Sequence, residues 1–181
     1  MKNTTRLLVA AVLIMAGTQA GAVIQLSPGD ELDSGVIAGS PYDTNNNNLI
    51  KSYIEATYGV LLYKDNAGGN EEGSYAGSYE TTYDDPADPE EATISYVSGP
   101  SISCPDCYLL VKDGNHTPWW YLFDINSWDG VMDIELTGFW PNGGAISHIG
   151  IYGTDVPEPG PLALLAIGLL GFGLRRLKKS S

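Results

Sequence analysis

The fold is decided by the stretch Tyr108-Leu109-Leu110-Val111-Lys112, Asp113-Gly114-Asn115-His116 and Trp119-Trp120-Tyr121-Leu122-Phe123-Asp124. The two apolar runs have the length of strands, and the polar residues between them favour a turn, so the second run is predicted to return antiparallel to the first. Further along, Met132, Ile134 and Leu136 alternate with Asp133, Glu135 and Thr137, which is the period of a half-buried strand. The chain is therefore predicted to be mainly β.

Weaker signals extend this pattern in both directions. Strands are predicted over residues 23–26, 35–38, 58–63, 92–97 and 146–152. One helix is predicted over residues 47–57, where apolar residues recur at helical spacing after a run of asparagines that can cap it. The expected fold is an antiparallel β-sandwich, jelly-roll-like, with one short helix.

Residues 65–91 differ in composition from the rest of the domain. They are rich in Gly, Asn, Ser and acids, and Gly73-Ser74-Tyr75 is repeated as Gly77-Ser78-Tyr79. Glycine disfavours a helix here, so the segment is predicted to be an irregular loop or a weak, exposed hairpin. Its carboxylates at Asp84, Asp85 and Asp88 are candidate calcium ligands, although the spacing is not that of an EF-hand. A solvated acidic loop is the other interpretation.

The N-terminal residues 1–22 have the pattern of a secretory signal peptide. Lys2 and Arg6 form a charged region, and residues 7–15 are apolar. Ala20-Gly21-Ala22 is a small-residue cleavage site, with Thr18-Gln19-Ala20 as the alternative site. An uncleaved anchor is the alternative. The mature domain is expected to cover residues 23–155, which is enough chain for one core.

The C-terminal residues 156–181 have three parts. Val156-Pro157-Glu158-Pro159 is followed by an uncharged apolar run at 162–174 and then by a basic stop, namely Arg175, Arg176, Lys178 and Lys179. As a helix the apolar run would reach roughly 20 Å, which is short of the roughly 30 Å hydrocarbon core. Local thinning and snorkelling cations could still make it an anchor helix with its basic end in the cytoplasm. A C-terminal core helix is the alternative.

The motif, its spacing and its terminal position resemble the PEP-CTERM sorting signal of Gram-negative bacterial surface proteins. The resemblance implies recognition of Val156, Pro157, Glu158 and Pro159 by exosortase, a membrane protease that cuts near this motif. It also implies export, transient anchoring in the inner membrane and transfer to the cell surface or extracellular space. Residues 99–153 resemble the ectodomain that often precedes such tails, which implies no chemistry.

Charge restricts the partners of the domain. Six of the nine cations lie in the two ends, and one of the 22 acids lies beyond residue 155, so residues 23–155 carry Lys51, Lys64, Lys112 and 21 acids, a net charge of −18. Binding to nucleic acid is disfavoured, because phosphates require Lys and Arg. Divalent cations and neutral or cationic glycans remain compatible, and the charge also maintains solubility.

The only cysteines form the motif Cys104-Pro105-Asp106-Cys107. A four-residue turn brings its ends within about 7 Å, which is compatible with a disulfide in an exported protein. A redox motif lacks the usual βαβ surroundings. Zinc shared with His116 and His148 is a further alternative, but the spacing matches no common zinc site.

Aromatic residues give the candidate ligand site. A glycan-binding patch is predicted from Tyr121, Trp128, Trp140 and Asn142, because flat rings beside amides commonly hold sugars; packing of these rings under loops is the alternative. No catalytic motif is present, so the protein is predicted not to be an enzyme. The expected function is surface display in association with exopolysaccharide in a biofilm matrix. The second hypothesis is a lectin-like glycan-binding module, with or without calcium. No other cofactor is expected.

Overall fold

A computed structural model describes residues 22–35, 42–103 and 105–154. These residues form ten strands and one helix in two sheets, which confirms the prediction of a mainly β chain with a single helix. The elements are β1 (Val23–Leu26), β2 (Asp33–Ser34), α1 (Asn47–Tyr58), β3 (Val60–Asn66), β4 (Glu71–Glu72), β5 (Tyr79–Tyr83), β6 (Ala92–Tyr96), β7 (Cys107–Asp113), β8 (Trp120–Asp124), β9 (Asp133–Leu136) and β10 (Ile146–Gly153).

The strands form a four-stranded sheet in the order β1-β9-β6-β5 and a six-stranded sheet in the order β2-β8-β7-β10-β3-β4. The predicted hairpin is present as β7 and β8, which pair antiparallel. The expectation of a wholly antiparallel arrangement is wrong for one pair, because β1 runs parallel to β9 with Val23 opposite Asp133. A parallel pair requires a long connection, and here nearly the whole domain separates the two strands.

The inner faces of both sheets contribute to one hydrophobic core. Ile94 and Ile134 come from the four-stranded sheet, and Leu109, Val111 and Ile149 come from the six-stranded sheet. All five side chains are fully buried. The alternation seen in the sequence around β9 is therefore the alternation between the core and the opposite face of the sheet.

Helix α1 covers the outer face of the six-stranded sheet and forms a third layer. Ile50 and Ile54, four residues apart on one side of the helix, are buried against Leu110, Trp120 and Tyr152. Because residues at this spacing share a helix face, one apolar stripe attaches the helix to the sheet.

The ends of α1 are set by two local interactions. The side chain of Asn46 accepts hydrogen bonds from the backbone N–H groups of Asn48 and Leu49, at 3.0 and 3.3 Å, so it is the N-cap. Gly59 ends the helix at φ 104, and a Cβ at this position would overlap the carbonyl group of Gly153. The strand predicted at 58–63 therefore begins only at Val60.

The prediction for residues 65–91 is wrong in its central part. The segment contains β4 and β5, and Tyr75 and Tyr79 are buried in the core. The hydroxyl of Tyr79 donates to the carbonyl oxygen of Gly130 at 2.8 Å and accepts from the N–H of Ile102 at 2.7 Å. Tyrosine side chains fill the space that large aliphatic residues fill elsewhere, so a segment without Val, Leu, Ile or Met still joins the core.

Two further tyrosines join the sheets to each other. The hydroxyl of Tyr83 on β5 donates to Oδ2 of Asp65 on β3 at 2.7 Å, and the hydroxyls of Tyr63 on β3 and Thr81 on β5 lie 2.9 Å apart. Each pair connects the edge strand of the four-stranded sheet to a strand of the six-stranded sheet.

Several predictions fall outside the described residues. These are the signal peptide up to residue 21, most of the strand predicted at 35–38, and the whole of the segment 156–181 with its apolar run and basic stop. Among the residues that are described, no helix has both the length and the apolar character needed to cross a membrane.

Candidate functional site

A cavity of about 160 Å³ lies between the first half of α1 and the outer face of the six-stranded sheet. Its floor comes from β3, β7 and β10, and its roof comes from α1. Most of its polar lining is charged or titratable: Lys51, Lys64, Glu72, Lys112, His148 and Tyr152.

Strand alternation places these groups in the cavity. On β7 the side chains of Leu109 and Val111 point into the core, so Leu110 and Lys112 point to the helix side. On β10 His148 lies directly opposite Lys112 in the antiparallel pairing. The α1 cavity thus forms only where β10 lies between β7 and β3.

Lys112 is the most unusual group in the cavity, because it is a lysine with only 2% of its surface exposed. Its Nζ donates to the backbone carbonyl oxygen of Asp113 at 2.6 Å, and no carboxylate among the described residues forms an ion pair with it. Burial lowers the pKa of Lys112, and the nearby Asp113 partly opposes this shift. An ammonium group has three donors, so the single neutral acceptor leaves this cation poorly compensated.

The carboxylate of Asp113 accepts hydrogen bonds from three backbone N–H groups. Its Oδ1 accepts from the N–H groups of Asn115 and His116, and its Oδ2 accepts from the N–H of Ala145 at 2.7 Å. The carboxylate therefore fastens the β7–β8 turn to the loop before β10 instead of neutralising Lys112.

His148 is held in its neutral form. Burial, together with the smaller effects of the charges of Lys64 and Lys112, lowers the pKa of His148 to about 3, and the charge of Glu72 opposes this shift. The Oγ of Ser147 lies 3.4 Å from Nδ1 of His148.

The other two lysines are partnered at the rim of the cavity. Nζ of Lys64 lies 2.9 Å from Oε1 of Glu72, and Nζ of Lys51 lies 3.7 Å from Oε1 of Glu55. Glu72 and Lys51 are half exposed or more, and ion pairs of this kind contribute little free energy.

All three cations of the domain therefore line one cavity, in a domain with 21 acids. The three lysines, Lys51, Lys64 and Lys112, are evident in the sequence, but their meeting in one cavity is not. The small number of lysines in residues 23–155 was the one sequence signal for this site. The pairing of β10 with both β3 and β7 is what brings Lys64 and Lys112 together.

The residues of the predicted glycan patch are only partly brought together. Tyr121, Trp140 and Asn142 line a shallow depression of about 320 Å³. Trp128 is elsewhere: its ring packs 5.6 Å from that of Tyr79, and its Nε1 donates to the carbonyl oxygen of Met132 at 2.7 Å.

The depression offers little aromatic surface to a ligand, because both rings are almost fully buried. Tyr121 and Trp140 are 7% and 5% exposed and pack against each other at 5.3 Å. The Nε1 of Trp140 donates to the carbonyl oxygen of Pro118 at 2.9 Å. Asn142 is exposed, so its amide is the most accessible polar group of the three.

The carboxylates proposed for calcium have backbone partners. Oδ1 of Asp84 accepts from the N–H groups of Glu90 and Glu91, and Oδ1 of Asp85 accepts from the N–H of Ala87. Asp88 is exposed. Within residues 22–35, 42–103 and 105–154, no group of three or more His, Cys, Asp or Glu side chains is arranged to hold a metal ion.

The two histidines lie in different places. His116 is exposed in the β7–β8 turn, with Nδ1 3.7 Å from Oδ2 of Asp113, whereas His148 faces the α1 cavity. Cys107 is buried in the core. Its proposed partner Cys104 lies outside the described residues, so the disulfide stays a prediction.

Comparison with protein families matches residues 155–178 to the PEP-CTERM protein-sorting motif. The chain carries a PEP-CTERM sorting signal. The matched range contains Val156, Pro157, Glu158 and Pro159 and three of the four basic residues, with Lys179 just beyond it. The PEP-CTERM signal is recognised by exosortase, a membrane protein, and it indicates export with a membrane-anchored sorting segment. No curated protein and no solved structure matches this PEP-CTERM chain.

Proposed function

We propose that the protein is displayed at the cell surface or released outside the cell and associates there with exopolysaccharide. The observation that carries the proposal is the PEP-CTERM match at residues 155–178, which begins directly after the last described residue, Thr154. In this proposal residues 1–22 direct export, the segment 162–174 anchors the chain transiently in the inner membrane, and exosortase cleaves near Pro159.

The two-sheet domain is the displayed part. We propose that its sheets form a jelly-roll-like sandwich, which is supported by the core shared between their inner faces. Its net charge of −18 supports a role in a hydrated matrix, because self-repulsion keeps the domain soluble.

We also propose that the domain is not an enzyme and needs no cofactor. A general base requires a pKa near the working pH, whereas the pKa of His148 is lowered to about 3. His116, the other histidine, lies exposed in a turn, and its nearest charged partner, Asp113, is already bonded to three backbone amides.

Mass spectrometry of protein from the native cell surface tests the sorting step. Wild type is expected to lack the tail beyond the Pro157–Pro159 region, and a P157A/P159A double variant is expected to keep it and remain in the membrane fraction. P86A, which changes an exposed proline outside the motif, is the matched control. Surface protein that retains an intact tail in wild type would contradict the proposal.

Co-sedimentation with the producer's own exopolysaccharide tests the association. The processed protein is expected to sediment with the polymer, and prior digestion of the polymer is expected to leave it in solution. Recovery of all the protein in the soluble fraction, with and without digestion, would remove exopolysaccharide from the proposal.

The second candidate is a lectin-like module at the depression beside Tyr121, Trp140 and Asn142. The observation that favours it is that the exposed Asn142 lines the same depression as the rings of Tyr121 and Trp140. Because the buried rings cannot be removed without damaging the core, N142A is the variant of choice, with exposed Asn70 changed in the N70A control. Tryptophan fluorescence titrated with oligosaccharides of the polymer should saturate for wild type and N70A but not for N142A. Addition of calcium or a chelator tests whether Asp84, Asp85 and Asp88 contribute.

A further inference from the structure

The α1 cavity has a charge that the rest of the domain does not explain. It collects Lys51, Lys64 and Lys112, while the remainder of residues 23–155 contributes no cation at all. A domain with 21 acids could compensate each lysine fully, yet the buried Lys112 makes no ion pair with any described carboxylate. A buried cation without a counter-charge costs free energy, so an anion bound beside Lys112 would offset this cost.

We propose that the α1 cavity binds a singly charged carboxylate of the kind carried by acidic sugars, with Lys112 as its principal partner. The source of the carboxylate, a uronate residue of a polysaccharide, rests on the proposed association with exopolysaccharide; the anion site itself does not.

The groups around Lys112 support binding of an anion. Neutral His148, directly opposite it, can offer a ring N–H without adding charge. Asn47 and Asn48, in the first turn of α1, line the cavity from the helix side, and an asparagine amide can donate N–H groups to an anion.

The size and charge of the site favour a monoanion. A volume of about 160 Å³ accommodates a carboxylate and the ring atoms next to it, and leaves the rest of a sugar chain outside. The carboxylate of Glu72, which also lines the cavity and is bonded to Lys64 and Asn66, would repel any bound anion. A single negative charge balances Lys112 and is repelled by Glu72 less strongly than the two charges of a phosphate dianion.

Glu72 is the internal competitor in this arrangement. It draws Nζ of Lys64 to 2.9 Å, which leaves less positive potential for a ligand. Because Glu72 is 52% exposed, its loss changes the electrostatics of the cavity without removing any core packing.

The test titrates full-length protein in neutral detergent micelles and follows the Cε signal of Lys112 and the imidazole signals of His148 by NMR. The probes are sodium glucuronate, its neutral isostere glucuronamide, sodium acetate and an oligoglucuronate. Glucuronate, acetate and oligoglucuronate should shift both residues in a saturable, salt-sensitive way, whereas glucuronamide should not. Equal responses to glucuronate and glucuronamide would overturn the proposal.

Three variants identify the partner. K112M keeps the apolar stem and should weaken glucuronate binding about tenfold or more, because it removes a buried charge. E72Q should tighten binding by about threefold, since an exposed competing charge is lost. E80Q, at an exposed position on β5, changes the net charge equally and should leave the affinity unchanged.

The variants also separate the two proposals. A response to acetate and glucuronate but not to oligoglucuronate retains the anion site and contradicts a polysaccharide as its source. Wild-type affinity in folded K112M, or unchanged affinity in E72Q, would overturn the site itself. If K112M does not fold, the direction of the E72Q effect decides.

Discussion

His148 on β10 lies directly opposite Lys112 on β7, and both side chains face the helix side of the six-stranded sheet. Burial lowers the pKa of both groups. The folded state therefore disfavours two positive charges at adjacent positions of the same ladder, and its stability should report on their protonation.

Stability is expected to fall as the pH decreases below about 6.5, the ordinary pKa of His148, towards its folded pKa of about 3. In this window the unfolded chain binds a proton that the folded state rejects, so the free energy of unfolding decreases by at most ~1.4 kcal/mol per pH unit. Urea unfolding of wild type and H148Q between pH 7 and 5 measures this slope, which H148Q should reduce. H116Q, which changes a histidine in an exposed turn, should retain it; equal slopes in wild type and H148Q would show that His148 is not responsible.

Replacement of Gly130 by alanine is expected to be strongly destabilising. Gly130 has φ 80, and a Cβ there would overlap the carbonyl oxygen of Ile102. The matched control is Gly138, which has φ 72 but no atom within 4 Å of the added Cβ. G138A should lower the free energy of unfolding by about 1 kcal/mol, because of its left-handed backbone alone. G130A should lower it by clearly more, because the backbone at Ile102 must also move to make room for the Cβ. Equal free energies of unfolding for the two variants would contradict the proposed overlap.

Removal of the Tyr83 hydroxyl should weaken the connection between the sheets. Asp65 is 9% exposed and accepts from Tyr83, so Y83F leaves a buried carboxylate without this donor. The cost is expected to be about 1–3 kcal/mol, with a further rise in the pKa of Asp65, since burial already raises it and the Tyr83 hydrogen bond opposes that shift. Y96F is the control, because the Tyr96 hydroxyl donates only to the exposed turn at Gly99. A smaller loss in Y83F than in Y96F would argue against a structural role for the bond.

The cap of α1 should determine how firmly the roof of the cavity is held. N46A removes the acceptor for the N–H groups of Asn48 and Leu49 and is expected to cost about 1 kcal/mol. N46S keeps an acceptor oxygen and should cost less. Hydrogen exchange of the α1 amides measures the effect locally, and unchanged exchange in N46A would indicate that packing of Ile50 and Ile54 alone holds the helix.

Local sequence patterns were sufficient where neighbouring residues determine the structure. The β7–β8 hairpin, the alternation of β9 and the helix after the asparagine run were predicted because each depends on a turn, a period or a cap within a few residues. Local patterns gave a wrong prediction for residues 65–91. Their composition, rich in Gly, Ser and acids, is typical of a loop, but the buried Tyr75 and Tyr79 supply the apolar surface that joins the segment to the core.

The α1 cavity could not be predicted, because it depends on contacts between distant segments. Lys64 and Lys112 meet only because β10 pairs with both β3 and β7. Likewise, Trp128 and Trp140 are close in sequence but pack against different partners, Tyr79 and Tyr121. Their closeness in sequence led to the prediction of a single aromatic patch, whereas in the fold the two tryptophans belong to different groups of rings.

The position of β10 has a consequence for the order of events during export. The final strand of the domain occupies an interior place in the six-stranded sheet, with β3 on one side and β7 on the other. When a chain crosses a membrane from its N-terminus, β3 and β7 emerge first but cannot be joined until residues 146–153 have followed. The six-stranded sheet can therefore be completed only after residues 146–153 are available to both neighbouring strands.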